Sequence, residues 1–164
     1  MDEVVPVAGA TTTPLAADAG PLLVVSCEHG GNRIPARYRP LFHGWQPVLD
    51  SHRGYDAGAL ALAREMATHL GAPLQAATVS RLLIDLNRSP GHPRLYSAAT
   101  RALAPAQRRE IFDAYYRPYR DALQRCIVAA IAGGRRVVHV SCHSFTPELD
   151  GDPRDADIGL LYDP

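Results

Sequence analysis

The sequence predicts an α/β fold, a three-layer sandwich in which a mostly parallel or mixed sheet is flanked by helices. Two observations carry this. Short apolar, β-branched runs that read as buried strands alternate with longer segments whose apolar residues recur at the helical period. Those helical segments are long enough to be the crossovers of a dozen or more residues that parallel strands need.

In chain order, residues 1–20 are rich in Ala, Thr and Pro without a period and are expected to form a loose lead-in to one domain over residues 21–164. Leu22-Leu23-Val24-Val25-Ser26 is the first core strand, ended by the turn signal Gly30-Gly31-Asn32. From Tyr55 to Leu70, the residues Leu60, Leu62, Ala63, Met66, Ala67 and Leu70 trace one face of a helix that Gly71 and Pro73 stop. Pro73 to Val79 and Leu82 to Leu86 read as two further strands, and the loop with Pro90, Gly91 and Pro93 suits the wall of a site. Pro105 to Ala132 places Ile111, Tyr115, Tyr119, Leu123, Ile127 and Ile131 four apart, predicting a long helix bent at Pro118 and closed by Gly133-Gly134. Arg136 to Ser141 is the next strand, and Ile158 to Tyr162 another beyond an acidic loop.

Composition narrows the function. The 164 residues carry 17 basic and 17 acidic side chains, so neither nucleic acid nor an anionic membrane is an expected partner. Every basic residue is arginine, which excludes Schiff-base chemistry and a phosphate-binding Walker lysine. No apolar run approaches the roughly 18 residues that span a bilayer. The three cysteines, Cys27, Cys126 and Cys142, lack the dense spacing of a secreted disulfide scaffold, and a cytoplasmic protein is expected. Nothing in the residues specifies an oligomeric state.

In open α/β sheets ligands bind beyond the carboxyl ends of the strands. Cys27-Glu28-His29-Gly30-Gly31-Asn32 follows the first strand there, and Ser141-Cys142-His143-Ser144 follows the later one. Between them Asp50-Ser51-His52-Arg53-Gly54-Tyr55-Asp56 ends at the start of the first long helix, so Asp56 reads either as an N-cap or as an oxygen ligand beside two imidazoles. His29, His143 and Asp56 would leave one position of a zinc ion open for water or substrate. Arg81 and Arg88, at the ends of the Leu82 to Leu86 run, can fork onto carboxylates, with Asp85 read as a brace for Arg88. A cysteine nucleophile at Cys27 or Cys142 is a rival mechanism. The acidic run Glu148, Asp150, Asp152, Asp155 and Asp157 lacks calcium-loop spacing and reads as a solvated loop.

Four ordered motifs carry a resemblance: Ser26-Cys-Glu-His-Gly-Gly-Asn-Arg-Ile-Pro35, Asp50-x-His-Arg-Gly-Tyr-Asp56, Ser80-Arg-Leu-Leu-Ile-Asp-Leu-Asn-Arg88 and His139-Val-Ser-Cys-His-Ser144. Together they resemble the N-formylglutamate amidohydrolase family, and the ending Asp157-Ile-Gly-Leu-Leu-Tyr-Asp-Pro164 looks like another of its signatures. The resemblance implies a phosphorylase/hydrolase-like fold similar to that of zinc carboxypeptidases, and hydrolysis of N-formylglutamate to formate and glutamate. It implies a small acidic N-acyl amino acid as partner and zinc, or another divalent metal, as cofactor, with His29, Asp56 and His143 as ligands. Asn87 and Arg88 match the Asn-Arg pair that holds a substrate carboxylate in carboxypeptidase-like enzymes, and Arg81 joins them.

Two departures qualify the resemblance. Where carboxypeptidases place a ligating glutamate three residues after the first histidine, this chain has Asn32, so Glu28 and Asp50 stand behind Asp56 as third-ligand candidates. Family members also continue well beyond the length of this chain, so a C-terminally incomplete domain is expected, with bare apolar surface at its end. The catalytic assignments are Glu28 as general base, His143, and Ser144 as a group orienting His143 or the substrate. The alternatives are hydrolysis of a different acyl amide or peptide bond, and an inactive, metal-free binding module.

Overall fold

The structure is a computed structural model that describes residues 20–149 and 151–162. The loose segment expected over residues 1–20 lies outside the described residues except for Gly20, as do Asp150 of the acidic loop and the last two residues.

Strand β1 (Leu22–Cys27) is central, and its consecutive residues Val24, Val25, Ser26 and Cys27 are all buried, so it is covered on both faces. Short helix α1 (Gln46–Leu49) and the 12-residue helix α2 (Ala59–Leu70) lead to β2 (Leu74–Ala76). The return crossover contains α3 (Ala98–Arg101), α4 (Pro105–Ile111) and α5 (Arg117–Ala132), and ends in β3 (Val137–Ser141). The sheet order is β2-β1-β3, and both pairings are parallel.

Alternation along β1 sorts its side chains between two helices. Val25 and Cys27 pack with Ala59, Ala63 and Ala67 of α2, and Ser26 and Glu28 turn toward Tyr119 of α5. Helices therefore cover both faces of the sheet, the three-layer α/β arrangement the sequence predicts. A second cluster, from Ile34, Tyr38 and Phe42 through Leu82–Leu86 to Ile111, Tyr115, Tyr116 and Tyr119, forms the larger core.

Three expected elements differ. The run Leu82 to Leu86 is buried as a strand would be, yet it is a succession of turns. Local polar groups take its backbone: Ser80 Oγ accepts from Leu82 N at 3.2 Å, Leu83 N donates to the Ser80 carbonyl, and Asp85 Oδ1 accepts from Asn87 N at 3.0 Å. Pro73 to Val79 shortens to β2, followed by a single bridge between Arg33 and Val79. Ile158 to Tyr162 is not a strand: its backbone pairs with no neighbouring edge among the described residues, and Ile158, Leu160, Leu161 and Tyr162 are 84–103% exposed. The acidic loop before it contains a minimal hairpin, β4 (Glu148–Leu149) with β5 (Asp152–Pro153).

The long helix is continuous from Pro105 to Ala132, but Phe112–Tyr116 widens to a π turn just ahead of Pro118. Arg117 N bonds to the Phe112 carbonyl, five residues back, and the wider turn makes room for a proline ring that would strike the carbonyl four residues before it.

Candidate active site

Register brings the two histidines together. Ser26 of β1 is paired with Ser141 of β3, so the chain leaves the sheet at the same level on neighbouring strands and delivers His29 and His143 to one edge. Their ring centroids are 5.0 Å apart. The turn carrying His29 is held by its glycines: a Cβ on Gly30 would sit 2.9 Å from the Ala77 carbonyl oxygen, and one on Gly31 2.7 Å from that of Thr78. Close approach of two backbones is what requires glycine here.

Asp56 joins the pair. The N-cap of α2 is Gly58, and the Asp56 carboxylate faces the histidines instead. Oδ2 lies 2.7 Å from His143 Nδ1 and 3.4 Å from His29 Nδ1, and Oδ1 accepts from Arg81 at 3.0 Å. The backbone helps, because Asp56 N donates to the His29 carbonyl. Burial alone would raise the Asp56 pKa, but the hydrogen bonds to His143 and His29 and the Arg81 charge hold it far below the carboxylate range.

His29 is fully buried, and carboxylates face both of its ring nitrogens. Its Nε2 is 2.7 Å from Asp85 Oδ1. Burial works to lower the His29 pKa, yet the bonds to Asp56 and Asp85 outweigh it and the net direction is upward. Asp85, which the sequence suggests only as a brace for Arg88, serves both neighbours: its Oδ2 is 3.7 Å from Arg88 Nε. The signal that sequence reasoning missed is the acid two residues before Asn87, which the turn at Asp85 aims back at the sheet edge.

Glu28 is 2% exposed and accepts from Ser26 Oγ at 2.7 Å, Tyr119 Oη at 2.9 Å and Ser141 Oγ at 2.6 Å. Burial would raise its pKa, and these hydroxyls reverse the direction. Ser141 is a second residue that sequence reasoning does not select. It is the Ser141 hydroxyl that lies 3.0 Å from His143 Nε2, whereas Ser144 has no side-chain hydrogen bond among the described residues. The Asn87 amide approaches the same ring nitrogen at 3.2 Å. Asp50 is engaged elsewhere, by Asn32 and Gln46.

All three cysteines are free thiols. Burial, then Glu28, pushes Cys27 up to about 12, and the thiolate a nucleophile needs is disfavoured. Cys142 is also buried, with its thiol raised by burial and Glu28 and its sulfur on Met66.

One ligand atom from each of His29, Asp56 and His143 falls within 4.8 Å of the others. Parallel strands that gather two imidazoles and a buried carboxylate at their carboxyl ends define a class of α/β protein whose site is equipped for polar or metal-assisted chemistry. More specifically, the chain belongs to the N-formylglutamate amidohydrolase family, whose profile matches residues 22–163. It is also similar to the crystal structure of gene product Atu2144 from Agrobacterium tumefaciens, with a TM-score of 0.78 and 36% identity over 86% of this chain. The match spans 59% of that protein's chain. No curated protein gives a significant match. No helix among the described residues is long and apolar enough to cross a membrane.

Proposed function

We propose that this chain is the domain, over residues 21–164, of a metal-dependent hydrolase that cleaves the formyl amide of N-formyl-L-glutamate or a related acidic N-acyl amino acid. The observation that carries this is the convergence of His29, Asp56 and His143 donor atoms within 4.8 Å at the sheet edge. Two imidazoles and one carboxylate are the donor set of many catalytic zinc sites, and bonds near 2 Å ask for donors about 3.4 Å apart, which small side-chain rotations supply. The group fits, with His29 and His143 facing the shared carboxylate through Nδ1. A divalent ion there, zinc by preference, supplies Lewis-acid polarisation of the amide carbonyl and acidifies water.

The chain's own residues account for substrate choice. Arg81 spends one nitrogen on Asp56 and keeps further donors for a carboxylate. Arg88 is 38% exposed at its side chain, and its backbone carbonyl is pinned by Tyr116 Oη at 2.7 Å. With Asn87 beside His143, these residues form a cationic, hydrogen-bonding border that favours an anionic guest. The three free thiols support a reducing, cytoplasmic setting.

The test is metal content and formate release on the purified protein. About one zinc per chain and formate from N-formylglutamate are expected, with the metal lost in His29→Ala and His143→Ala. Metal content unchanged in both variants overturns the site. Turnover of neutral acyl amides at the same rate replaces the acidic substrate with a broader one.

A further inference from the structure

We propose that Glu28 is a positioning residue that acts on His143 through the Ser141 hydroxyl, and not the group that takes a proton from water. This rests on the reading of His143 as a metal ligand and concerns how that ligand is held.

The decisive feature is hydrogen-bond direction. An ionised carboxylate only accepts, so every hydroxyl that touches it is compelled to donate. Ser141 Oγ lies 2.6 Å from Glu28 Oε2 and 3.0 Å from His143 Nε2. Its single hydrogen goes to Glu28, and its lone pairs are then left for the ring. His143 Nε2 must therefore carry a hydrogen, and Nδ1, which donates to the ionised Asp56 carboxylate at 2.7 Å in the metal-free protein, is the nitrogen that would exchange its hydrogen for a cation. The structure places Asn87 Nδ2 3.2 Å from Nε2, and a hydrogen on Nε2 requires the flipped amide, with the oxygen toward the ring, a choice that hydrogen-bonding alone decides. On the far side, Ser26 repeats the pattern: it donates to Glu28 Oε1 and accepts from His139 Nε2 at 2.8 Å.

A base for water needs a lone pair open to that water. Glu28 is 2% exposed, with one oxygen taken by Ser26 and Tyr119 and the other by Ser141, and His143 Nε2 stands 3.5 Å from that second oxygen. What the carboxylate does control is direction along two neighbouring strands, because the Ser26 and Ser141 positions are register partners. Partners that orient ligating histidines in this way typically change metal affinity by about 10–100-fold when removed.

The experiment compares wild type with Ser141→Ala, Ser141→Thr, Glu28→Gln and the Ser141→Ala/Glu28→Gln double variant. Zinc affinity is read by competition with a chromogenic chelator, and the His143 imidazole by ¹⁵N NMR of the zinc-free protein. Ser141 is on an edge strand, so its variants test the idea even if Glu28→Gln fails to fold. Expected are a loss of zinc affinity of about 10–100-fold in Ser141→Ala and Glu28→Gln, a double variant no worse than the poorer single, and recovery in Ser141→Thr. The His143 signals should move in Ser141→Ala and return in Ser141→Thr. Unmoved His143 signals overturn the proposal. So does a Glu28→Gln protein that binds zinc as wild type does yet turns over roughly a thousandfold more slowly when saturated with the metal, the mark of a general base. A wild-type protein that binds no zinc removes the metal reading alone, and the imidazole spectra still decide the coupling.

Discussion

His29 Nε2 and Asp85 Oδ1 meet at 2.7 Å in the interior, 56 residues apart in sequence. The contact turns one ring nitrogen away from the shared cluster and leaves the other facing Asp56. Asp85→Ala removes the partner of one ring nitrogen of a buried imidazole and is expected to cost about 3–5 kcal/mol of stability. It should also lower zinc affinity about 10–100-fold. Urea denaturation and a chelator competition check both, and Asp85→Asn, which keeps the shape, should fall between the two proteins. Full zinc affinity in Asp85→Ala would show that His29 needs no orienting partner.

The same pair sets a pH dependence for the metal-free protein. The His29 pKa is raised above its ordinary value of about 6.5, so its contribution is complete below that pH and is lost as pH rises through the higher folded value. Asp56, Asp85 and Glu28 are lowered, and their contributions are present above about pH 4.5 and lost as pH falls. His139, lowered by burial, adds to the acid limb. Metal-free protein should therefore be most stable in mildly acidic buffer and weaken as the pH rises beyond the ordinary histidine range. Zinc should abolish that alkaline loss, because the cation takes the place of the proton on His29. Denaturation midpoints across pH with zinc or with chelator decide this, and a metal-free profile that stays flat as the pH rises above about 6.5 contradicts it.

What is legible in the sequence follows from where each signal is local. β1, β3 and α2 announce themselves by apolar period and by glycine stops, and His29 and His143 by their place just beyond strands. The run Leu82 to Leu86 misleads because burial alone makes it apolar, whereas Ser80 and Asp85 decide its backbone through side-chain bonds that composition does not reveal. Asp56 stays open between cap and ligand on sequence because the choice depends on where α2 begins; it begins at Ala59, which gives the cap position to Gly58 and frees the carboxylate. Ser141 and Asp85 escape notice for a related reason. Their importance lies in partners 113 and 56 residues away, which only the β1 and β3 register and the Asp85 turn bring into reach.

Substrate charge is tested at Arg88. Its guanidinium is partly exposed, its Nε is 3.7 Å from Asp85, and its carbonyl is anchored by Tyr116, so the side chain can move toward a guest while its backbone stays fixed. Arg88→Ala should raise KM for an acidic N-acyl amino acid by about tenfold or more, the worth of one charged hydrogen bond, and leave a neutral one nearly unchanged. Steady-state kinetics on a matched pair of substrates measure the difference. Equal effects on both would assign Arg88 to structure and not to carboxylate recognition.

Gly31 carries the most local prediction. The backbone there has no positive φ, so conformational freedom is not the reason for glycine, and the restriction is space: an added Cβ would lie 2.7 Å from the Thr78 carbonyl oxygen and 3.0 Å from its Cα. Both contacts are backbone, which cannot rotate aside, and the strand-like pairing of residues 30–33 with 77–80 would have to part. Gly31→Ala is expected to destabilise by about 1–3 kcal/mol, as overpacking does. Gly44→Ala, where φ is +78° and nothing lies within 4 Å, should cost only about 1 kcal/mol, through backbone strain alone. Because the Gly31 contact supports the turn that carries His29, its variant should also lose zinc affinity, and Gly44→Ala should not. Equal zinc affinity in the two variants would separate the turn from the site.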